Sequence, residues 1–518
     1  MQRLERSIVR LAAIFFGVFL AVSAVAGQPA IQFQSGRLVV TQSCRVVIPK
    51  GVVIEDTTGG GVIQIEASNI RIEFVKGSEL RGSPTNTAPD RYRGYGVRLN
   101  GHTNVTIRAA TISGYWCGLW ATKADGLVLE NIDASDNRRA RLKSTPKAED
   151  ESDWLYGHEN DQKQWLTNYG AAIYIEQSSH VTVRDSKVWH GQNALCLDRV
   201  TDSRIYDNDF SFNSGWGIAL WRSSRNTISR NALDFCVRGY SHGVYNRGQD
   251  SAGIFAFEQN NENVIAENSV THGGDGFFGF AGREALGETG EHPIDWYKRR
   301  GNSDNVLIDN DFSYAAAHGI ENTFSFGNKY LKNRIVSNAI CGVWIGYSRD
   351  SIIADNELQN NGEKGYGLER GGVNIDHGGD NAIVRNKFAN NKCGVHLWGG
   401  ANASFENKPW TRANGYASTG SIVSGNTFTG DAIAMQFRGP GNVTVGANKF
   451  ERIGKEIVAD AAYSVRRNDR VAVPALSSPK VQIFGRKHPI GARAKLRGRE
   501  NIIITEWGPW DHVSPLEP

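Results

Sequence analysis

Two carboxylates in the sequence have the spacing of an acid–base pair. Glu176 and Asp198 lie one 22-residue interval apart, and in an array of that period their backbones would be neighbours, about 4.8 Å apart. Two carboxyl groups that close raise one another's pKa, which suits an acid–base or acid–nucleophile pair. A retaining glycosidase has its two carboxyls roughly 5 Å apart. The alternative is a surface ladder that Arg199 or Arg222 neutralises.

A second group contains two carboxylates and three imidazoles. Its members are His318, Glu321, Asp376, His377 and His396. Glu321 and Asp376 would lie about 10 Å apart by backbone, which side chains can close to the wider separation of an inverting glycosidase. A histidine beside Asp376 could instead abstract a proton next to a uronate carboxylate, as a lyase or epimerase requires. A solvated surface with ordinary histidines is the remaining alternative.

These residues belong to a repeat that must position them. The phrase Asn, alternating aliphatics, Asn, large apolar residue recurs, and its second Asn falls at Asn208, Asn231, Asn268, Asn310, Asn333, Asn356, Asn386, Asn426 and Asn448. The intervals equal one unit of 22–23 residues or one unit plus an insertion, which is typical of a solenoid. Apolar and polar residues alternate with period two, so each unit holds short strands. One Asn per turn can stack as a hydrogen-bonded ladder.

The pattern resembles a known superfamily of repeats. Segments such as GIALWRSSRNTISRN (217–231) and GVWIGYSRDSIIADN (342–356) are similar to the right-handed β-helix repeats of carbohydrate-binding and sugar-hydrolase proteins, which include pectate-lyase-like enzymes and NosD-type periplasmic proteins. The resemblance implies an all-β, right-handed parallel β-helix, and the repeat count gives about 12–14 turns. It is specific for the fold and weak for activity.

The resemblance also raises the question of metals. Pectate-lyase-like enzymes often hold calcium with clustered Asp residues on outward strands, but the outward acidic positions of this sequence are scattered. Copper delivery, which a NosD likeness implies, would need clusters of Met, Cys or His, and Met435 is the single Met after the leader. We therefore predict no metal and no cofactor, although calcium remains possible.

The strand after each repeat glycine presents alternate residues outward. Read along the stack, these positions form a stripe of aromatics broken by polar groups, and its candidate substrate-binding residues, with two neighbouring asparagines, are Trp221, Phe257, Phe280, Asn322, Trp344, Asn374 and Trp398. Three interpretations stay open: a glycan groove in which rings stack on sugars, a satellite core under the insertions, or an oligomer interface. We favour Glu321 and its neighbours as the reacting centre, because the stripe there changes from aromatic to polar.

The chain divides into four parts. We predict a signal peptide at 1–26, a cap with the first turns at 27–99, repeats at 100–463, and a capping strand with a basic tail at 464–518. Insertions are predicted at 138–168, 234–252, 281–302, 363–371 and 401–418. Long loops beside one face of a compact fold are usually functional, so we expect them to wall a cleft.

The N-terminus and the charge limit the partners. Arg3, Arg6 and Arg10 precede an apolar run of about 15 residues and an Ala-Val-Ala site, the pattern of a cleaved secretory signal. We expect an exported protein, periplasmic or extracellular, with no membrane span after cleavage. A net charge of +4 over 518 residues does not suit a nucleic-acid binder.

The six cysteines and the overall function complete the sequence-based expectations. Cys117, Cys341 and Cys393 each precede a repeat glycine, so we expect buried thiols in one column, with disulfides as the alternative. The predicted partner is a polysaccharide or oligosaccharide. The predicted function is glycan cleavage by a hydrolase, or lyase or epimerase action on a uronate polymer; a non-catalytic carbohydrate-binding or NosD-like periplasmic accessory protein is the alternative.

Overall fold

A computed structural model describes residues 27–239, 247–280, 282–474 and 481–516. The predicted signal peptide, residues 1–26, lies outside the described residues. Within the described ranges, none of the helices has the length and apolar character needed to cross a bilayer.

The chain coils into a parallel β-helix with two long sheets. All strand pairs within these two sheets are parallel, and each strand pairs with the equivalent strand one turn away. The first sheet has 16 strands: Ala30–Gln32, Cys44–Val47, Arg71–Phe74, Thr106–Arg108, Val128–Glu130, Thr182–Arg184, Arg204–Tyr206, Thr227–Ser229, Val264–Ala266, Val306–Ile308, Lys329–Leu331, Ile352–Ala354, Ala382–Val384, Ser418–Ser424, Gly441–Val445 and Tyr463–Arg467.

The second sheet carries the residues predicted to do chemistry, and we call it the site sheet. Its 15 strands are Leu38–Val40, Ile63–Ile65, Tyr95–Asn100, Cys117–Thr122, Ala171–Ser179, Leu195–Thr201, Trp216–Trp221, Ala252–Phe257, Asp275–Phe280, His318–Thr323, Cys341–Trp344, Gly371–Asp376, Val395–Trp398, Ile433–Arg438 and Lys455–Ala459. The predicted all-β fold is confirmed. The strand counts exceed the predicted 12–14 turns, and the residues up to 100 contribute three of the site-sheet strands.

A third, narrower side closes each turn. One sheet on this side contains five strands: Arg334–Val336, Glu357–Gln359, Lys387–Ala389, Thr427–Thr429 and Lys449–Glu451. Nearer the N-terminus, Glu79–Arg81 pairs with Thr111–Ser113. Isolated parallel bridges connect this pair to the five-stranded sheet across the intervening turns. Two further small pairs are Asn302–Ser303 with Ser325–Phe326, and the antiparallel Ile504–Thr505 with Gly508–Pro509. Aliphatic and aromatic side chains from all three sides fill the interior as one continuous core.

Helices are short and lie mostly in the insertions. The α-helices are Gly282–Ala285, Ala403–Glu406 and Pro409–Asn414; the 3₁₀ helices are Pro89–Arg91, Glu151–Asp153, Ile294–Tyr297 and Arg499–Asn501; and Trp165–Tyr169 is a π-helical turn. All six cysteines are buried and unpaired, and Cys341 pairs in register with His318 and Gly371 on the adjacent turns.

The predicted asparagine ladder is confirmed. From Asn208 to Asn448, each ladder Asn donates its backbone N–H and its side-chain amide to the Oδ1 of the next. At Asn333, for example, these two donors meet Oδ1 of Asn356 at 2.8 Å and 3.1 Å. A shorter ladder of Asn226, Asn263 and Asn305 forms hydrogen bonds between turns at the neighbouring corner of the β-helix. Buried backbone groups at the turns are thereby satisfied.

Replacing Asn333 by Ala should lower the free energy of unfolding by about 3 kcal/mol. The change removes the acceptor of the backbone N–H of Asn310 and a donor to the carbonyl of Leu307, and the loss of a partner by a buried polar group costs about 1–3 kcal/mol. Chemical denaturation followed by circular dichroism measures the effect. Asn168, which is exposed, is the matched control, and an equal loss in Asn168→Ala would contradict the ladder's role.

The described part of the basic C-terminal segment packs along the flank of the β-helix. Arg493 donates to Asp234 at 2.6 Å and to Asp209 at 3.1 Å, and Arg499 is buried and donates to Glu363 at 2.6 Å. The expectation of an exposed basic tail is wrong for these two arginines, because acidic side chains of the repeats and of an insertion neutralise them.

Candidate active site

The outer face of the site sheet has two regions of different character. In its first half, Trp165 and Leu166 of the 138–168 insertion pack into a buried cluster with Trp216, Trp221 and other stripe aromatics. Trp165 contacts Trp221 with ring centroids 5.5 Å apart. This half of the stripe is therefore a satellite core, the second of the three interpretations above.

The burial corrects several predictions. Trp221 and Phe257 are 2% and 0% exposed, so the prediction that they face substrate is wrong: the first insertion folds over them. Phe280 is half-buried and contacts His158 of the same insertion, with centroids 5.2 Å apart. Asn322 points into the β-helix, where it donates to the Tyr330 hydroxyl at 2.9 Å, and it is fully buried; its predicted contact with substrate is therefore wrong.

Glu176 and Asp198 are in register on adjacent turns, as the sequence predicts, but both are buried and hydrogen-bonded. Glu176 accepts from Trp120 Nε1 at 3.0 Å and Thr122 Oγ1 at 2.7 Å. The first insertion covers both groups, so they do not line an open groove.

Asp198 has three donors of its own. It accepts from Tyr174 OH at 3.0 Å, from Asn160 at 3.1 Å and from Arg199 at 2.6 Å. Burial raises its pKa to about 6 despite Arg199 and Tyr174. These contacts agree with the neutralised-ladder alternative for the Glu176/Asp198 pair.

The second half of the outer face lies between insertions. On one side, the 281–302 and 401–418 insertions join, because Trp410 Nε1 donates to Arg300 O at 2.8 Å and Asn414 donates to Tyr297 O at 2.8 Å. On the other side, the 363–371 insertion is hydrogen-bonded to the strand Gly371–Asp376 through Leu368 and Asn374. The region between these walls contains Glu321, Trp344, Asp376, His396 and Trp398.

The strand register fixes the order of these groups. Glu321 pairs with Trp344, Trp344 with Asn374, and Asn374 with His396 on successive turns. Two residues further along each strand, Asp376 pairs with Trp398. The side chains of Glu321 and Asp376 are 11% and 12% exposed, so both are nearly buried in this floor.

A glycine forms a small depression in this floor, which we call the Gly346 cleft. A Cβ at Gly346 would lie 3.5 Å from Cβ of Asp376, 3.6 Å from Nε1 of Trp344 and 3.7 Å from Cγ2 of Thr323. Trp344 Nε1 and Thr323 Oγ1 are buried and make no hydrogen bond with the described residues. The side chains of Trp344, Thr323 and Asp376 therefore meet at this glycine, and two of them carry a buried polar atom without a partner, which is unusual.

His377 holds Asp376 in place. Its Nδ1 makes a short hydrogen bond with Asp376 Oδ1, its Nε2 lies 2.9 Å from Gly400 O, and its ring is stacked between Tyr347 and Tyr416. Desolvation lowers the pKa of His377, but the hydrogen bond and charge of Asp376 outweigh it, and the net pKa is raised. Burial raises the pKa of Asp376 against the opposing His377 contacts. These contacts favour a positioning role for His377.

Asn374 and His396 fasten the 363–371 insertion to the sheet. Asn374 Nδ2 donates to Leu368 O at 2.6 Å, His396 Nδ1 lies 2.9 Å from the same oxygen, and Trp398 Nε1 donates to Asn374 Oδ1 at 3.0 Å. Burial lowers the pKa of His396 to about 3, helped by the charge of Arg370. A ring that is so weakly basic suits a structural role better than that of a general base.

A carboxylate that the sequence did not single out lies in the same insertion. Glu369 is half-buried. Burial, and then the charge of Asp376, raise its pKa to about 7, against a hydrogen bond from Tyr366. Glu369 and Asp376 are thus two carboxyls in different environments, one able to keep its proton near neutral pH and the other paired with a histidine.

Comparisons with known proteins agree with the fold. Residues 146–284 match the family described as periplasmic copper-binding protein (NosD), and residues 288–408 match the family described as right handed beta helix region. A search of curated proteins gives no significant match. The two family matches together span the region that contains most of the ladder asparagines.

Solved structures similar to the chain have low sequence identity. A DFA-IIIase from Arthrobacter chlorophenolicus A6 is 10% identical (TM-score 0.38; 70% of this chain and 83% of that chain are covered). The A-module of a mannuronan C-5 epimerase from Azotobacter vinelandii is 13% identical (0.35; 82% and 91%). A periplasmic alginate epimerase is 12% identical (0.36; 86% and 78%).

Proposed function

We propose that this β-helical chain, whose residues 288–408 match the family described as right handed beta helix region, binds a polysaccharide in the Gly346 cleft and cleaves it by acid–base chemistry. The observation that carries this proposal is that the charge of Asp376 acts on Glu369, whose pKa is raised to about 7, while buried polar atoms beside Asp376 lack partners. Two carboxyls whose environments push their pKa values apart are the usual basis for assigning an acid and a base.

Glu369 is the proton donor in this scheme. With a pKa of about 7, a large fraction of its carboxyl groups keep the proton at neutral pH, and general acids work best when their pKa lies near the working pH. The group belongs to an insertion that Asn374 and His396 fix to the sheet. The proton is therefore delivered from an insertion that is held against the site sheet.

Asp376 is the base or nucleophile on the floor. Its Oδ1 contacts His377 Nδ1, and the stacking of His377 between two tyrosines prevents the pair from turning away. A base held in one orientation needs no reorganisation during reaction. In a hydrolase it would activate water or attack the anomeric carbon, whereas in a lyase it would remove the proton next to a uronate carboxylate.

Sugar hydroxyls account for the unpartnered atoms. Trp344 Nε1 can donate to a hydroxyl, Thr323 Oγ1 can donate or accept, and Asp376 can accept. Trp344 and Trp398 are both half-buried, so part of each ring remains available to stack on sugar C–H faces. A polar ligand in the cleft would satisfy groups that otherwise cost free energy in the folded protein.

A glycan screen tests the proposal. The full chain without its leader is incubated with neutral, acetylated and uronate-containing polysaccharides, and new reducing ends and ultraviolet absorbance at roughly 235 nm are followed. We expect new reducing ends with at least one polymer, with added absorbance if cleavage proceeds by elimination. Gly346→Leu, which fills the depression, should abolish turnover, and turnover unaffected by that change would contradict the proposed location.

A non-catalytic periplasmic accessory role is the second candidate. The match of residues 146–284 to the NosD family favours it. That stretch contains the first insertion and its buried aromatic cluster rather than the Gly346 cleft. Glycan binding without any turnover in the screen would support this alternative.

The same match supports a periplasmic location. The NosD family is described as periplasmic, and the sequence predicts a cleaved leader at 1–26. We propose that the mature protein acts in the periplasm. Cell fractionation of the native host, with the N-terminus of the mature chain determined by sequencing, tests both points.

A further inference from the structure

Three side chains beside the Gly346 cleft form a compact cluster with oxygen and nitrogen donors. Asp275 begins one strand of the site sheet, and His318 and Glu321 lie on the strand of the next turn. One ligand atom from each residue lies within 4.8 Å of the other two. His318 Nε2 is 3.8 Å from Glu321 Oε2, near the roughly 3.4 Å that separates two ligands of a tetrahedral ion bound at ~2.1 Å.

One nitrogen of the cluster lacks the partner that a buried polar group normally has. His318 is 4% exposed, and its Nδ1 is fully buried with no hydrogen bond to the described residues. Its other nitrogen is too far from Glu321 for a hydrogen bond. Asp275 does accept from the backbone N–H of His318 at 2.7 Å, which holds the two turns together at this point.

The electrostatic surroundings of the cluster are acidic. Asp275 and Glu321 are 6% and 9% exposed. Within the described residues, neither carboxyl forms an ion pair with a lysine or an arginine, and His318 is the basic group beside Glu321. Buried carboxylates without a counter-charge are unfavourable unless they take up protons or bind a cation.

His318 supplies an imidazole nitrogen, which is a common ligand of divalent metal ions. Trp344 lies beside the ring, with centroids 5.1 Å apart, and limits its rotation. The donor set is thus one nitrogen and two carboxylates, presented from two adjacent turns of a rigid sheet.

We propose that Asp275, His318 and Glu321 bind a divalent first-row metal ion with mixed oxygen and nitrogen preference, of the Zn²⁺ or Mn²⁺ class. The imidazole distinguishes this site from an all-oxygen calcium site. The carboxylates distinguish it from a soft copper(I) site, which takes thiolate or thioether ligands. This proposal departs from the metal-free expectation of the sequence, and it does not depend on the proposed glycan cleavage.

Metal binding to the full chain tests the proposal without any activity assay. The protein is stripped with a chelator, dialysed against Zn²⁺, and assayed for bound metal; a separate Mn²⁺ titration follows the free ion by electron paramagnetic resonance. We expect one saturable equivalent of each ion, a higher Tm with metal, and at least tenfold weaker binding of Ca²⁺. Glu321→Gln and His318→Ala should each weaken Zn²⁺ binding at least about tenfold.

Glu258→Gln is the matched control, because Glu258 is also buried with a pKa raised to about 7 but is not one of the three proposed ligands. It should bind Zn²⁺ as the wild type does. Circular dichroism establishes that each variant is folded, and Glu321→Asp provides a conservative second variant if Glu321→Gln does not fold. No saturable Zn²⁺ or Mn²⁺ binding below about 1 mM, or binding that is unchanged in both ligand variants, would overturn the proposal. A metal-binding protein without glycan turnover would contradict only the proposed function.

Discussion

Glu369→Gln is expected to lower the rate of polysaccharide cleavage at least about 100-fold, because the amide cannot deliver the proton that the leaving oxygen needs. Asp376→Asn should cause a loss of the same order, since it removes the base that His377 holds. Initial rates on the polymer identified by the glycan screen measure both effects. KM should change less than kcat, because each group acts mainly in the transition state.

Glu363→Gln is the control for this experiment. Glu363 lies in the same insertion as Glu369, and its side chain is 64% exposed, so its removal should leave the rate nearly unchanged. The pH profile provides a second check. The acid must be protonated, so cleavage should decline as the pH rises through about 7, the pKa of Glu369, and this limb should be lost from the residual activity of Glu369→Gln. Near-full activity in both Glu369→Gln and Asp376→Asn would exclude this pair.

Trp165→Ala is expected to lower the free energy of unfolding by about 3–5 kcal/mol. Trp165 is fully buried and packs against Trp216, Trp221 and Phe255, with centroids 4.8, 5.5 and 5.6 Å away. Its truncation leaves a large cavity and detaches the first insertion from the sheet. Urea unfolding followed by tryptophan fluorescence and circular dichroism measures the loss.

Trp398→Ala serves as the comparison for this change. Trp398 is half-buried at the far end of the same stripe, so its removal should cost less stability and should weaken glycan binding instead. Trp221→Ala should behave like Trp165→Ala. If Trp221→Ala weakened glycan binding while leaving stability intact, the first half of the stripe would be a binding surface after all.

The fold could be predicted from the sequence because its signals are local and repeated. Each Asn of the ladder from Asn208 to Asn448 marks the same corner of the β-helix on successive turns. The alternation of apolar and polar residues identifies the strands. The register of Glu176 with Asp198, and of Glu321 with Trp344, follows directly from the period. In a repeat, residues that pair between adjacent turns are one repeat length apart in the sequence, so the pairing can be predicted from that spacing.

The site could be predicted only in part, because the insertions do not follow the period. Which stripe residues are covered depends on where Trp165 and Leu166 come to lie, and nothing in the repeat encodes that path. The position of Glu369 could not be predicted for the same reason. It lies in a loop whose position depends on Asn374 and His396.

One missed residue did have a readable signal. Asp275 and His318 precede a repeat glycine, in the same position as Cys117 and Cys341. The cysteines of that column predict buried thiols, so the acidic member Asp275 does not stand out. Reading the column turn by turn would have placed Asp275 beside His318 and next to Glu321.

A crystal structure of Glu369→Gln with an oligosaccharide of the cleaved polymer tests the central claim most directly, since the variant should bind substrate without turning it over. We predict a sugar ring over Gly346, with hydroxyl groups within hydrogen-bonding distance of Trp344 Nε1, Thr323 Oγ1 and Asp376, and with neighbouring sugars along Trp398. An oligosaccharide bound elsewhere on the β-helix, with the Gly346 cleft free of sugar, would contradict the account.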